Sequence, residues 1–355
     1  MLSWLERVFL FALEPFLLHL GIDLGTANTL IYVRGHGIQL REPSVVATND
    51  YGEVLAVGDD AKFMIGKTPQ RIYVMRPLQD GVIADYERTD AMLSHFIRKI
   101  KRLNSSFYSR IGRVVVGIPS GVTKVERRAV ENAVIRTGAI AVRLIEEPKA
   151  AALGAGLPIE QPSGNMIVDI GGGTTEVAVL SLGQIITSTS IKVAGDALDK
   201  AIIEYARKRY NLQIGERTAE RIKIEIGSAY TESEVETTEM RGMDLVTGLP
   251  KTAEITTREV HEAMKEKLDQ ILKAVRDTLE ATPPELAADI IDNGIVLCGG
   301  GALLRDLPIV IEKDTGIPCR VAENPLECVV RGCQKILDEW CEHPEKYREV
   351  GYGAF

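Results

Sequence analysis

The first twenty residues, MLSWLERVFLFALEPFLLHL, are almost wholly apolar. On a helical wheel Ser3, Glu6, Arg7 and Glu14 share one sector, while Trp4, Leu5, Val8, Phe9, Phe11, Ala12 and Leu13 cover the rest. Such a pattern predicts an amphipathic helix over residues 1–15. Glu6, Arg7 and Glu14 interrupt the run and Pro15 breaks it, so it does not predict a membrane span. An acidic residue ahead of the apolar run, with no A-x-A site, argues against a signal peptide. Two readings remain. The oversized apolar face of Trp4, Leu5, Val8 and Phe9 lies in a membrane interface, or the helix docks on the protein's own core.

After Pro15 the period shortens. FLLHLGID and TLIYV read as paired strands, and PSVVAT and EVLAVG as short strands around Asn49–Gly52;. Leu93–Leu103 is helical, RVVVGIP is a buried strand, and a charged helix follows from about Thr123 to Thr137. Another helix starts near Pro148. LPIEQPSG is a linker by its Pro and Gly content. A long helix is predicted over Thr256–Ala281. Thr256 and Glu259 form a capping box ahead of an apolar face of Val260, Met264, Leu268, Ile271, Val275 and Leu279;. GIVLCGGGALLRDLP reads as strand, glycine turn and helix. Strands and helices alternate throughout, so the class is α/β.

Two stretches on either side of the linker share one design. In LGIDLGTANTLIYV a strand ends in Asp23, turns through Gly25–Asn28 and returns as a strand. In NMIVDIGGGTTEVAVL a strand ends in Asp169, turns through Gly171–Thr174 and returns as Glu176–Leu182. A P-loop or dinucleotide site would run on into a helix instead. In such turns glycines permit positive φ, and backbone N–H groups can face one concavity. One loop could hold one phosphate, and two could clamp a polyphosphate. Two carboxylates do not approach a polyphosphate without a cation, so Mg²⁺ is implied at Asp23 and Asp169, held largely through water. IGKTP carries the end of a Walker A box, but Ala61 stands where its first glycine belongs and no strand–loop–helix frames it;.

Composition narrows the function. The chain has 355 residues, 45% of them hydrophobic, enough for one large or two medium domains;. A net charge of −8 gives no long-range attraction to nucleic acid;. All five cysteines fall between Cys298 and Cys341 with neither a C-x-x-C pair nor a histidine cluster beside them, which fits isolated thiols in a reducing cytoplasm;.

In order along nearly the whole chain, GIDLGTANT, DGVIADYE, EEPKAAALGAGLP, DIGGGTTEVAVLSLG, TAERIKIEIGSA, TPPELAADI and LCGGGALLRDLP resemble the MreB family of bacterial actin-like proteins. The first and fourth motifs alone indicate only the superfamily of actin, sugar kinases and heat-shock chaperones. The resemblance implies an actin-like fold of two RNase-H-like halves around a nucleotide cleft, each with a smaller inserted subdomain. The halves would span residues 16–163, with an insert at about 49–81, and 164–332, with an insert at about 200–262. Residues 333–355 would return to the first half.

The resemblance also implies ATP and Mg²⁺ as cofactors, slow ATP hydrolysis, and homopolymeric protofilaments in pairs. These would lie on the inner face of the cytoplasmic membrane and guide cell-wall elongation proteins, setting cell shape. Thr26, Ala27 and Asn28 resemble the first phosphate loop; Gly172, Gly173 and Thr174 resemble the second. Glu220 and Lys223, on one helix face, resemble the ribose and adenine contacts, and Gly300, Gly301 and Ala302 the turn under the adenine. Glu147 resembles the glutamate that orients the attacking water, with Thr174 beside it; Glu146 competes, and an acidic helix N-terminus ahead of Pro148 would look the same. Cys298 departs from the family, which usually has Thr or Ser there. SSFYSR lies where the family often has an apolar membrane loop, and Phe107 and Tyr108 serve there or pack locally. A small-molecule kinase of the same superfamily would need a catalytic aspartate in a substrate pocket, which no motif supplies. A chaperone would need a peptide-binding domain.

Overall fold

A computed structural model describes residues 17–104 and 110–347. The amphipathic segment with Trp4, Leu5, Val8 and Phe9, and the loop with Phe107 and Tyr108, lie outside the described residues. The chain divides into two units. One runs to Ala150 and resumes at Val329; the other is Ala151–Cys328.

In the first unit β1 (Leu17–Leu24), β2 (Asn28–Val33) and β3 (Gly37–Pro43) form an antiparallel meander. β4 (Val46–Asn49), β5 (Val54–Val57) and β6 (Ile72–Met75) make a separate small sheet. With the helix α1 (Asp59–Met64) it encloses a minor core of Val45, Ala47 and Ala61. A two-stranded ribbon, β7 (Leu78–Gln79) with β8 (Val82–Ile83), leads to α2 (Tyr86–Leu103). β9 (Arg110–Ile118) and β10 (Ala139–Glu146) flank α3 (Lys124–Arg136) and extend the main sheet in the order β10-β9-β1-β2-β3. β1 pairs in parallel with β9 and is buried almost throughout, as its mostly apolar run requires of a central strand;. α2 starts earlier than expected because Asp85 caps it, accepting from the Arg88 N–H at 2.9 Å;. Its buried face is Met92, Leu93, Phe96, Ile97 and Ile100. The helix α4 (Glu147–Gly154) begins where β10 ends.

The second unit repeats this plan. β11 (Asn165–Ile170), β12 (Thr175–Ser181) and β13 (Gln184–Ile191) form the meander. α5 (Gly195–Tyr210), β14 (Leu212–Gln213), α6 (Glu216–Ile226) and the hairpin β15 (Thr237–Asp244)–β16 (Pro250–Thr256) follow. α7 (Thr257–Glu280) and α8 (Pro284–Asn293) then lead to β17 (Ile295–Cys298), α9 (Leu307–Thr315) and β18 (Cys319–Val321). The sheet order is β13-β12-β11-β17-β18, with β17 and β18 parallel additions beside β11. Both units therefore carry the same sheet: a three-stranded meander whose first strand is flanked by two parallel strands. The duplication seen in two loops extends to whole sheets.

From Val329 the C-terminal helix Cys328–Glu342 belongs to the first unit. A Cβ at Gly332 would sit 1.9 Å from the Ala150 carbonyl oxygen, so glycine is needed where backbone meets backbone;. Asp338 takes a 3.2 Å hydrogen bond from Arg34.

α7 has the bounds and buried face its sequence predicts, with Val260, Met264, Leu268, Ile271 and Val275 in the core of the second unit. Its capping box is formed: Thr256 Oγ1 accepts from the Glu259 N–H at 3.3 Å, and Glu259 accepts from the Thr256 N–H at 3.0 Å;. Thr256→Ala should cost about 1 kcal/mol. Hydrogen exchange should show the loss first at the N-terminal turn of α7, with the C-terminal turns unchanged.

Candidate functional site

In the first unit Asp23 is the half-buried next-to-last residue of β1 and lies in register with Leu30 on one side and Gly117 on the other. The loop after it is braced from inside. Ser44 Oγ donates to the Gly25 carbonyl at 2.6 Å and shares a 2.8 Å hydrogen bond with Thr29 Oγ1; the Ser44 N–H donates to the Ala27 carbonyl at 3.0 Å. Thr26 Oγ1 accepts from the Gly81 N–H at 3.1 Å, tying the loop to DGVIADYE. Asn28 is exposed and opens β2.

Gly117 has a second neighbour. A Cβ there would stand 3.5 Å from Glu147 Cγ and 2.9 Å from Val329 Cγ1. The missing side chain thus makes room for Val329 on the C-terminal helix, and Glu147 lies in ordinary contact range beside the Asp23 register row. Glu146 goes elsewhere: its Oε1 takes a 3.2 Å ion-paired hydrogen bond from Arg127 on α3. Asp23 and Glu147 also share a neighbour in the buried Cys333 thiol. Burial pushes that thiol up, and both carboxylates push it further. Asp23, Glu147 and the Thr26 loop therefore gather at one end of one sheet. A recess lined by Leu24, Gly81, Gly117, Pro119 and Arg127 opens beside them.

In the second unit Asp169 holds the equivalent position, in register with Glu176 and Cys298. It is far more enclosed, at 6% exposure, with Glu176 at 1%. Burial, then the Glu176 carboxylate, push Asp169 up to about 7, while a hydrogen bond with the Cys298 thiol pulls it down;. None of these influences is a positive charge. A hard divalent cation suits this donor and would return the carboxyl to its charged form. No group of three or more His, Cys, Asp or Glu side chains comes together for a metal among the described residues. Water and phosphate oxygens would have to complete any shell here.

The glycines of both loops serve differently than expected. Gly25 and Gly171–Gly173 are not at positive φ. At Gly25 the constraint is closeness, because a Cβ would meet the Asn28 carbonyl oxygen at 2.8 Å. Positive φ appears instead at Gly299, at 78°, where a Cβ would also lie 2.4 Å from Asp169 Oδ1. Gly301 packs against Ile170. The Gly300–Ala302 turn is thereby pressed onto the strand end that carries Asp169.

The remaining candidates converge in the same unit. The Gly171 N–H donates to the Thr174 carbonyl at 2.9 Å and closes the loop around Gly172 and Gly173. Its carbonyl accepts from the Gly195 N–H at 3.2 Å, and the Gly172 carbonyl from the Asp196 N–H at 2.8 Å. Lys223 on α6 reaches this junction, while Glu220 lies one turn earlier on the same helix. Sequence reasoning passed over Glu176, Asp199, Ser44 and Gly117. The register of the predicted strands would have exposed Gly117 and Glu176, each directly opposite an aspartate.

The chain matches the family model described as MreB/Mbl protein over residues 17–345. It belongs to the MreB/Mbl family. The cell shape-determining protein MreB of Escherichia coli is 53% identical over 324 residues, covering 90% of this chain and 93% of that protein. The cell shape-determining protein Mbl of Bacillus cereus is 50% identical over 328 residues, covering 92% and 98%. Among solved structures, MreB5 of Spiroplasma citri bound to ADP superposes with a TM-score of 0.87 at 41% identity, covering 93% of this chain and 98% of that one. The MamK double helical filament superposes at 0.77 with 24% identity. An actin-like fold is thus established for this MreB/Mbl member, and the expected family holds.

One consequence concerns Asp169. Asp169→Asn should raise the thermal stability of the nucleotide-free protein at pH 8, because it removes a charge buried beside Glu176. The gain should be on the order of 1–3 kcal/mol. Differential scanning fluorimetry reads it, and a fall in melting temperature would show that the carboxylate already has its charge compensated.

Proposed function

We propose that this chain binds and slowly hydrolyses ATP with Mg²⁺, and assembles into membrane-associated filaments that determine cell shape by organising cell-wall synthesis. The observation that carries the nucleotide part is the doubled strand-end aspartate, each with a braced loop after it and one of them desolvated against Glu176. Relatives support the rest. MreB and Mbl at about half identity are named as cell shape-determining proteins, and Spiroplasma MreB5 is solved with ADP and with AMPPNP.

The residues divide the task. Loop amides around Thr26–Asn28 and Gly172–Thr174 receive phosphate oxygens, and the Gly300–Ala302 turn and the Glu220 face receive the nucleoside. Asp23 and Asp169 hold Mg²⁺ largely through water, and the bound ion supplies neutralisation of phosphate charge. Glu147 accepts a hydrogen bond from the attacking water and Thr174 keeps that water in line. Phosphoryl transfer is mostly positioning, so a weak base suffices. Glu147 is favoured over Glu146 because it lies beside Gly117, the register partner of Asp23, whereas Glu146 meets Arg127 on α3.

Glu147→Ala should keep ATP binding and lose hydrolysis by roughly 10²–10⁴-fold, with Glu146→Ala far milder. Phosphate release measured alongside pelleting with and without ATP checks both this and filament formation. Turnover abolished in the Glu146 variant alone would reverse the assignment. A chain that pellets with ATP but never releases phosphate would be a non-hydrolysing filament former. ATP consumption without pelleting would favour a small-molecule kinase.

Membrane attachment rests on the N-terminal segment. Twelve residues are too short for a stable helix in water, so Leu2–Leu13 should fold on lipid. Trp4, Leu5, Val8, Phe9 and Leu13 could each contribute about 1.5–3 kcal/mol of apolar transfer before ordering costs. Glu6 and Glu14 outweigh Arg7, so attachment should depend little on salt. Filament assembly adds avidity. In liposome co-sedimentation the full chain should bind in low and high salt, and a chain starting at Pro15 should not. Equal sedimentation of both would assign the segment to internal packing.

A further inference from the structure

The Lys223 ammonium is already engaged within the second unit. Its Nζ lies 2.8 Å from Asp199 Oδ1 and donates to the Gly195 carbonyl at 3.0 Å. Both side chains are largely enclosed, at 15% and 11% exposure. Gly195 begins α5, and its own N–H holds Gly171; the next amide, Asp196, holds Gly172. A Cβ on Gly195 would lie 3.3 Å from the Gly171 oxygen and 3.5 Å from Lys223 Nζ, so three segments meet closely there. The links run from α6, through one ammonium, to α5 and into the glycine loop. In these links Asp199 reaches that loop through Lys223 and Gly195. It acts by holding Lys223 over Gly195, and its burial works against its charge while Lys223 favours it.

We propose that Asp199 is a positioning residue for nucleoside polyphosphates, fixing through Lys223 the spacing between the nucleoside-facing side of α6 and the Gly171–Gly173 phosphate loop. It rests on the ATP-binding reading above. A nucleotide engages both segments only if their separation is preset, whereas a ligand with no phosphates touches only one. The tie therefore converts into discrimination by phosphate, not into general affinity.

Two measurements test it. Hydrogen exchange on the nucleotide-free protein reads the tie directly: Asp199→Asn should deprotect the Gly195 and Asp196 amides while the core of α7 keeps its protection. Displacement of a fluorescent ATP analogue by adenosine, ADP and ATP reads the consequence. Asp199→Asn should weaken ADP and ATP by about tenfold, within the usual range for coupled sites, and leave adenosine nearly unchanged. Asp199→Glu, which restores the charge, should recover much of the difference. Lys223→Gln should deprotect the same two amides, and serves should Asp199→Asn fail to fold. Unaltered exchange at those amides, or equal losses for adenosine and ADP, would overturn the proposal and leave a structural ion pair. Amides that deprotect as expected in a wild-type background that binds neither ADP nor ATP would instead overturn the ATP-binding reading, and the nucleotide role of Asp199 with it.

Discussion

A carboxylate at the inner end of a buried strand is hard to keep charged, and both sheets of this protein are built around one. β1 and β11 are the central strands, mostly apolar, and each carries an aspartate one residue before its end. At Asp169 water is scarce and none of the influences on its charge is a cation, so a cation suits it;. A tight loop follows each aspartate because the next strand must turn straight back to complete the meander. Backbone amides and a carboxylate are thus forced together, the one to attract anions and the other to require a cation. A metal-bound phosphate chain satisfies both demands.

The two copies are not equal. Asp169 is enclosed by Glu176 and Cys298, and Gly299 is stripped of a side chain to fit against it. Asp23 is half-buried, opposite Gly117, with Glu147 on the far side of that glycine. One copy is a desolvated charge; the other is a more open carboxylate beside a second carboxylate.

Much of this was legible in the sequence because it is local. The strand–turn–strand units, the Thr256 capping box and the apolar face of α7 are all set by residues within a few turns of one another. What escaped depends on register and on distant partners. Gly117 matters because it is paired with Asp23 across 94 positions of chain (117 − 23), and Asp199 because α6 returns to it. β13 escaped for another reason: QIITSTSI is an edge strand whose exposure alternates but whose composition is half polar. The role of the glycines was misjudged because a glycine required by a close neighbour reads like one required by positive φ. Only the positions of Asn28 and Ile170 separate the two cases.

The most direct test of the central claim is calorimetric titration of ADP and ATP into the full chain with Mg²⁺ and with the metal chelated. Strand-end carboxylates that need a cation predict one nucleotide per chain and an affinity that falls at least about tenfold on chelation, which is 1.4 kcal/mol. Equal affinity with and without Mg²⁺, or two independent nucleotides per chain, would contradict the account.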